Sequence, residues 1–276
     1  MAQATDFTAV NVALYRPGGD RWVMTERRSN ERSREAWRLG TSSLDASSLD
    51  ASSHSTSSPG TSSARWEDGA LVLEFDERCA PLPSRLRGTV RITPRALDGA
   101  PVALDGERGR HRWYPIAPSA RAQVSLDDPG LTFVGESYVD ANEGDEPLEA
   151  GFSGWIWSRM STARGTTVAY RAVPRQGAPL ELARHYDRSG QRTEIADVAR
   201  HALPRTRWGL SREVACDAGA RPRLARRLED TPFYARSLVE TRIAGHAGMA
   251  MHEVLDLDRF GAGWVRFLLP FRARRE

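Results

Sequence analysis

Short apolar or alternating stretches recur through this chain about every ten residues, and Gly, Pro or Asp breaks nearly every one of them. Asn11–Tyr15, Asp20–Glu26, Ala70–Asp76, Arg87–Pro94 and Leu131–Val134 are of this kind, with breaks such as Pro17-Gly18-Gly19-Asp20. Two later pairs read as hairpins: Thr166–Val173 with Leu180–Tyr186, and Ser237–Ile243 with Met249–Leu255. Their turns fall at Gln176-Gly177 and at His246-Ala247-Gly248. A helix-period pattern longer than about two turns is missing, with Glu31–Leu39 as the one exception. Strands of this length and spacing predict a mostly β chain, a sandwich or barrel with few helices.

Hydrophobic residues make up 40% of the 276, enough to build a core, so the chain is globular. One stretch departs from this. Thr41–Ser63 is nearly all Ser, Thr, Ala and Asp, and Ser-Ser-Leu-Asp-Ala occurs twice, at 42–46 and 47–51. It has too little apolar area to offset its ordering entropy, which predicts a disordered surface insertion. The expected division is an N-terminal β domain over 1–160 carrying that insertion, and a C-terminal β domain over 161–276.

Several function classes are disfavoured by the same text. Every basic residue is Arg, and these residues are spread among Asp and Glu for a net charge of +3, so nucleic acid is not the expected partner. Cys79 and Cys216 predict two inert buried thiols in a reducing compartment, with no disulfide framework. The histidines lack metal-ligand spacing, and no nucleophile elbow or phosphate-cradling glycine loop occurs. No cofactor and no metal are expected. The first eight residues lack a basic region and an apolar core, so a cytoplasmic chain is expected. Leu257–Arg275 interleaves Phe260, Trp264, Phe267 and Phe271 with Arg. That pattern suits either a closing strand and helix or a membrane interface.

Chemistry-bearing residues are densest between His111 and Trp157. His111-Arg112-Trp113-Tyr114-Pro115 opens the cluster and Ser137-Tyr138-Val139-Asp140-Ala141-Asn142 follows. The acidic run Glu143–Glu149, whose Gly and Pro mark a solvated loop, comes next, and Trp155-Ile156-Trp157-Ser158-Arg159 ends it. Residues two apart on a strand share a face. His111 then projects with Trp113, Tyr138 with Asp140, and Trp155 with Trp157. If these strands line one interior, it holds aromatic faces, an imidazole and a carboxyl. A buried Asp is costly unless paired or protonated, which sets the group apart from a plain core. Ordinary packing of the tryptophans, a hydrogen-bonded core His111 and a turn cap at Asp140 remain open as alternatives at this point.

At this cluster the chain resembles the acyclic carotenoid 1,2-hydratases, also called hydroxyneurosporene synthases. The likeness runs through Asn11–Tyr15, Arg21–Arg27, Ala80–Gly88, His111–Pro118, Tyr138–Asp140, Gly144–Glu149, Phe233–Ser237 and Leu257–Phe260. It covers most of the chain outside the serine-rich insertion, and relatives carry further sequence before the Asn11–Tyr15 equivalent. The resemblance implies a lipocalin-like antiparallel barrel or pair of half-barrels. It also implies a cofactor-free hydration of the terminal 1,2 double bond of lycopene or neurosporene. By that resemblance Asp140 is the acid, with His111, Trp113 and Tyr138 around it; Trp155 and Trp157, from their shared strand face, are the candidate substrate contacts. An acyclic carotenoid and water are the implied partners, with peripheral contact at the inner or intracytoplasmic membrane. A non-catalytic carrier of a hydrophobic ligand and a polyene or polyketide cyclase are the competing expectations for such a fold.

Overall fold

The computed structural model describes residues 8–27, 30–32, 36–39, 62–79, 84–269 and 274–275. Along the chain these form β1 (Thr8–Leu14), β2 (Arg21–Arg27), β3 (Asn30–Arg32), β4 (Ala36–Leu39), β5 (Ser62–Glu67) and β6 (Ala70–Arg78). Next come β7 (Arg85–Ala96), β8 (Val102–Ala103), β9 (His111–Asp128), β10 (Leu131–Gly144) and the short helix α1 (Leu148–Gly151). Then follow β11 (Phe152–Thr162), β12 (Gly165–Pro174), β13 (Leu180–Asp187), β14 (Arg192–Glu194), β15 (Ala199–Leu203) and β16 (Arg212–Cys216). Finally come β17 (Arg223–Asp230), β18 (Tyr234–Ile243), β19 (His246–Asp256), α2 (Leu257–Gly261), α3 (Gly263–Leu268) and β20 (Arg274–Arg275). The protein is mostly β with few helices, as the punctuated apolar stretches predict.

Two compact units emerge. One comprises 1–93, 121–135 and 268–276; the other comprises 94–120 and 136–267. The long strands β7, β9 and β10 contribute residues to both. Residue 160, where the sequence suggests a boundary, lies inside β11.

In the first unit, β1 and β2 form a hairpin, and β6 pairs with β5 and β7 in antiparallel ladders. Glu77 is buried there and accepts hydrogen bonds from Thr25 (2.8 Å) and Ser62 (2.6 Å). Such partners offset the desolvation of a carboxylate. Ser62 and Ser63, the last residues of the expected insertion, therefore belong to a strand; residues 41–61 lie outside the described residues. The helical pattern at Glu31–Leu39 is overridden: Asn30–Arg32 and Ala36–Leu39 are paired strands. Pairing with β5 wins over a local periodicity too short to nucleate a helix.

The second unit is built on a seven-stranded antiparallel sheet in the order β14-β13-β12-β11-β19-β18-β17. Its ladder is open at β14 and β17 among the described residues, so the half-barrel form of the expected fold applies. Alternation gives the sheet two distinct faces. Met160, Ala169, Ala183, Ile243 and Ala250 form one apolar layer, packed with Ala215 of β16. His252 points the same way and is fully buried, its Nε2 2.9 Å from the Glu213 carbonyl. The other face carries Trp155, Trp157, Val168, Tyr170, Tyr186 and Leu255, packed around Trp113 and Phe152. The β18–β19 turn sits at Ala244-Gly245, both at positive φ, while His246–Gly248 already belong to β19. Two consecutive left-handed residues make the tight turn that matches strand twist.

Candidate active site

Strand β9 carries the first two site residues, and its burial alternates as the sequence predicts. His111, Trp113 and Pro115 are buried, whereas Arg112 and Tyr114 face away. On that outer side Arg112 (3.1 Å) and Tyr114 (2.6 Å) both bond Glu143 of β10. The opposite side of β10 therefore presents Tyr138 and Asp140 to Trp113.

Trp113 is 0% exposed, and its indole N–H donates to Asp140 Oδ2 at 2.8 Å. The Tyr138 hydroxyl donates to the same oxygen at 3.1 Å. Both bonds thus converge on Oδ2. Burial raises the Asp140 carboxyl above its ordinary pKa, while the two donors and the nearby Arg159 guanidinium pull the other way. Desolvation wins. Tyr138 itself is held protonated well above its usual range, first by burial and then by the neighbouring Asp140 charge.

Around this carboxyl the walls are aromatic. The Trp113 ring lies 5.8 Å from Tyr170, and the Tyr138 ring 5.7 Å from Trp157. Trp155 and Trp157 share a face of β11, as expected, and pack against the cluster of Trp113, Phe152 and Tyr170. Trp157 helps to line a cavity of about 260 Å³ with Tyr138, Arg159, Arg236, Met251 and Glu253 among its walls.

His111 is placed differently from its three companions. Its ring packs edge-on to Phe152 at 4.9 Å, and its Nε2 is 3.5 Å from Glu146. Gly144 and Gly151 flank it so closely that a Cβ at either would fall 2.3 Å and 2.6 Å from its ring nitrogens. The imidazole thus makes its contacts beside α1, whereas Trp113, Tyr138 and Asp140 bond one another. Glu146 also explains why the acidic run is not simply a solvated loop. Its side chain is largely buried, and ion pairs to Arg108 (3.1 Å) and Arg110 (2.6 Å) hold it down.

Residues 2–276 match the carotenoid hydratase CrtC family. The chain belongs to that family. An acyclic carotenoid 1,2-hydratase from Thiocapsa roseopersicina is 42% identical over 97% of this chain. Another from Rubrivivax gelatinosus is 36% identical over 99%. The chain spans 62% and 63% of the lengths of these two relatives. A Cereibacter sphaeroides relative of the same description is 35% identical, with 96% of this chain and 88% of its own length aligned. Two solved structures share the lipocalin-like fold: a Nitrosomonas europaea protein assigned to AttH (TM-score 0.60, 14% identity, 92% and 82% of the two chains) and CghA with Sch210972 (0.58, 13%, 92% and 81%). At such identities they speak for the fold alone.

Three polar residues of this family member's site escape a reading of the sequence cluster. Arg159 continues the face of Trp155 and Trp157, and its guanidinium stands 5.6 Å from the Tyr138 ring centre. Glu253 lies opposite Trp157 in the β11–β19 ladder, and Arg236 lies opposite Glu253 in the β18–β19 ladder. Arg236 Nε donates to Glu253 Oε1 at 2.9 Å, and the Tyr234 phenol also bonds that carboxyl. The available signal was a lone charge inside an apolar strand, Met251-His252-Glu253-Val254-Leu255, on the face defined by Leu255.

Proposed function

We propose that this protein hydrates the terminal 1,2 double bond of an acyclic carotenoid such as lycopene or neurosporene, with Asp140 as the acid. The observation that supports it is a carboxyl whose Oδ2 is occupied by two donors, Trp113 Nε1–H and Tyr138 O–H, inside an aromatic interior. Family membership supplies the reaction class.

An isolated trisubstituted alkene must be protonated before water can add, because water is too weak a nucleophile for it. Desolvation raises the Asp140 carboxyl and so favours the neutral form that can donate. Two bonds on Oδ2 leave the proton to Oδ1. Its transfer to C2 of the alkene leaves a tertiary cation at C1. The new carboxylate is stabilised by the Trp113 and Tyr138 donors and by Arg159, while Trp157 and Tyr138 offer the cation aromatic faces. Desolvated contacts of that kind contribute about 2 kcal/mol. Water then captures the cation. The ring of His111, wedged by two glycines, sets the end of β9 and so the place of Trp113.

Contact with a membrane completes the proposal, since the substrate dissolves in lipid. Trp208, Trp264 and Phe267 are large, exposed apolar side chains near one another in sequence or space, the two indoles stacking at 6.1 Å. Such groups suit an interface.

The decisive test is product analysis after co-expression with a lycopene-forming pathway. Wild type yields the tertiary alcohol, and Asp140→Asn yields none. A folded Asp140→Asn variant that hydrates at the wild-type rate removes Asp140 as the acid. A carrier would shift the polyene spectrum without product, and a cyclase would give a ring without added oxygen.

A further inference from the structure

Hydration needs a second proton transfer, from the water that bonds to carbon, and Asp140 is poorly placed to accept it. Its carboxylate has just formed on the side from which C2 was protonated, and its Oδ2 is bonded by two donors. His111, the other group of suitable chemistry from the sequence cluster, packs against Phe152 between two glycines, its Nε2 buried without a hydrogen-bond partner among the described residues, and does not line the cavity beside the aromatic walls. A different carboxylate faces the space beside the aromatic walls.

Glu253 is that carboxylate. It lines the cavity of about 260 Å³ together with Tyr138 and Trp157. That volume accommodates a terminal isoprene unit and a water molecule, the water taking about 30 Å³ of it. Glu253 is held by Arg236, which lines the same cavity, and by Tyr234. Arg236 is fixed in turn by Glu229 at 3.3 Å. Charge at Asp140 is felt at Glu253, and Tyr170 is within electrostatic reach of both. Asp140 does not itself line this cavity; Tyr138, which bonds its Oδ2, stands between it and the space that Glu253 faces. The two carboxyls are held by separate donor sets, Trp113 and Tyr138 for one and Arg236 and Tyr234 for the other, which lets them titrate differently.

We infer that Glu253 is the base of the hydration, holding the water in the cavity and taking its proton as oxygen bonds to the tertiary carbon. The inference rests on the reading of Asp140 as acid. The balance is closed. The Asp140 O–H breaks as C2–H forms, and the alkene's electron pair makes that bond. A lone pair of water then forms C1–O, and one water O–H breaks as its proton passes to Glu253. Return of that proton to Asp140, by exchange with solvent, resets both groups, and the sum is alkene plus water to tertiary alcohol. Glu253 also bears on the protonation equilibrium: burial raises its carboxyl, and Arg236 opposes that rise. A raised carboxylate is the stronger proton acceptor for it.

The experiment runs in D₂O with lycopene, and mass spectrometry follows both the alcohol and the deuterium in recovered lycopene. Without a base for water, the cation reverts by losing a proton to the Asp140 carboxylate, and substrate exchanges without hydrating. Glu253→Gln should lower alcohol formation at least 100-fold in kcat while recovered lycopene still gains deuterium. Glu253→Asp should restore part of the alcohol and keep the exchange, and it carries the same test if the Gln variant does not fold. Alcohol formation by Glu253→Gln within threefold of wild type overturns the inference. So does simultaneous loss of alcohol and exchange in a variant whose near-ultraviolet circular dichroism is native. Asp140→Asn should give neither alcohol nor exchange; exchange persisting there breaks the acid assignment instead, so the two failures are told apart.

Discussion

Trp113 meets Asp140 through its indole N–H, edge to carboxyl, and its ring lies against Tyr170. Its contribution should therefore be separable into a donor and a shape. Trp113→Phe keeps much of the ring and, in the proposed mechanism, removes a donor from the carboxylate that proton transfer leaves. A hydrogen bond to a charged group is worth about 1.5–3 kcal/mol, so kcat should fall roughly 10- to 100-fold with little change in KM. An equal rise in KM with kcat preserved would make Trp113 a substrate contact instead. Asp140 itself carries a stability consequence. Burial raises its carboxyl in the folded state, so the unfolded chain releases that proton first, and the site loses stability as pH rises above the ordinary Asp range. Asp140→Asn should accordingly melt no lower than wild type at pH 7 while losing the proposed activity. Hydration by the wild-type protein should fall as pH rises through the raised Asp140 pKa.

Strand β19 shows how one strand can serve chemistry and folding on opposite faces. Glu253 points into the cavity, while the adjacent His252 points to the back layer, fully buried against the Glu213 carbonyl. Burial depresses the His252 imidazole to about 4. The folded state therefore binds its proton less readily than the unfolded chain does. The associated stability is complete above the ordinary histidine value of about 6.5 and drains away as pH falls towards 4. The span corresponds to about 3 kcal/mol. Urea denaturation of wild type between pH 7 and pH 4 should show this loss, and His252→Gln should flatten it. An unchanged slope in the variant would assign the acid sensitivity to other groups. β10 and β11 show how far the sequence was legible. Period-two alternation placed Tyr138 with Asp140 and Trp155 with Trp157, because residues two apart on any extended strand share a face. It could not place Glu253 and Arg236, since their proximity to Asp140 arises only when β18 and β19 pair with β11 about 100 residues later. The Glu31–Leu39 pattern misled for the related reason that ladder partners outweigh a local period.

For the protein as a whole, the β class followed from punctuation, whereas the described residues form more strands than the apolar runs mark. The division into units did not follow either. β7, β9 and β10 are long enough to supply both cores, so no linker composition marks a boundary. The proposed carotenoid substrate would reach these units from a lipid phase, and no helix among the described residues is long and apolar enough to cross a membrane. Trp208, Trp264 (52% exposed) and Phe267 (71% exposed) are the candidates for contact at the surface. Arg259 donates to the Trp208 carbonyl at 2.6 Å and so ties that loop to α2, holding the indole pair together before any lipid arrives. Preordered aromatic side chains lose little entropy on insertion, and the Arg residues beside them favour anionic headgroups. Wild-type protein should therefore sediment with vesicles containing phosphatidylglycerol, and Trp264→Ala/Phe267→Ala should lower the bound fraction at least fivefold. Hydration of detergent-dispersed lycopene should be unchanged in the same variant, because neither residue lines the cavity. Equal sedimentation of the two proteins would remove this surface from the path of the substrate, and a parallel loss of detergent-phase activity would tie it to folding.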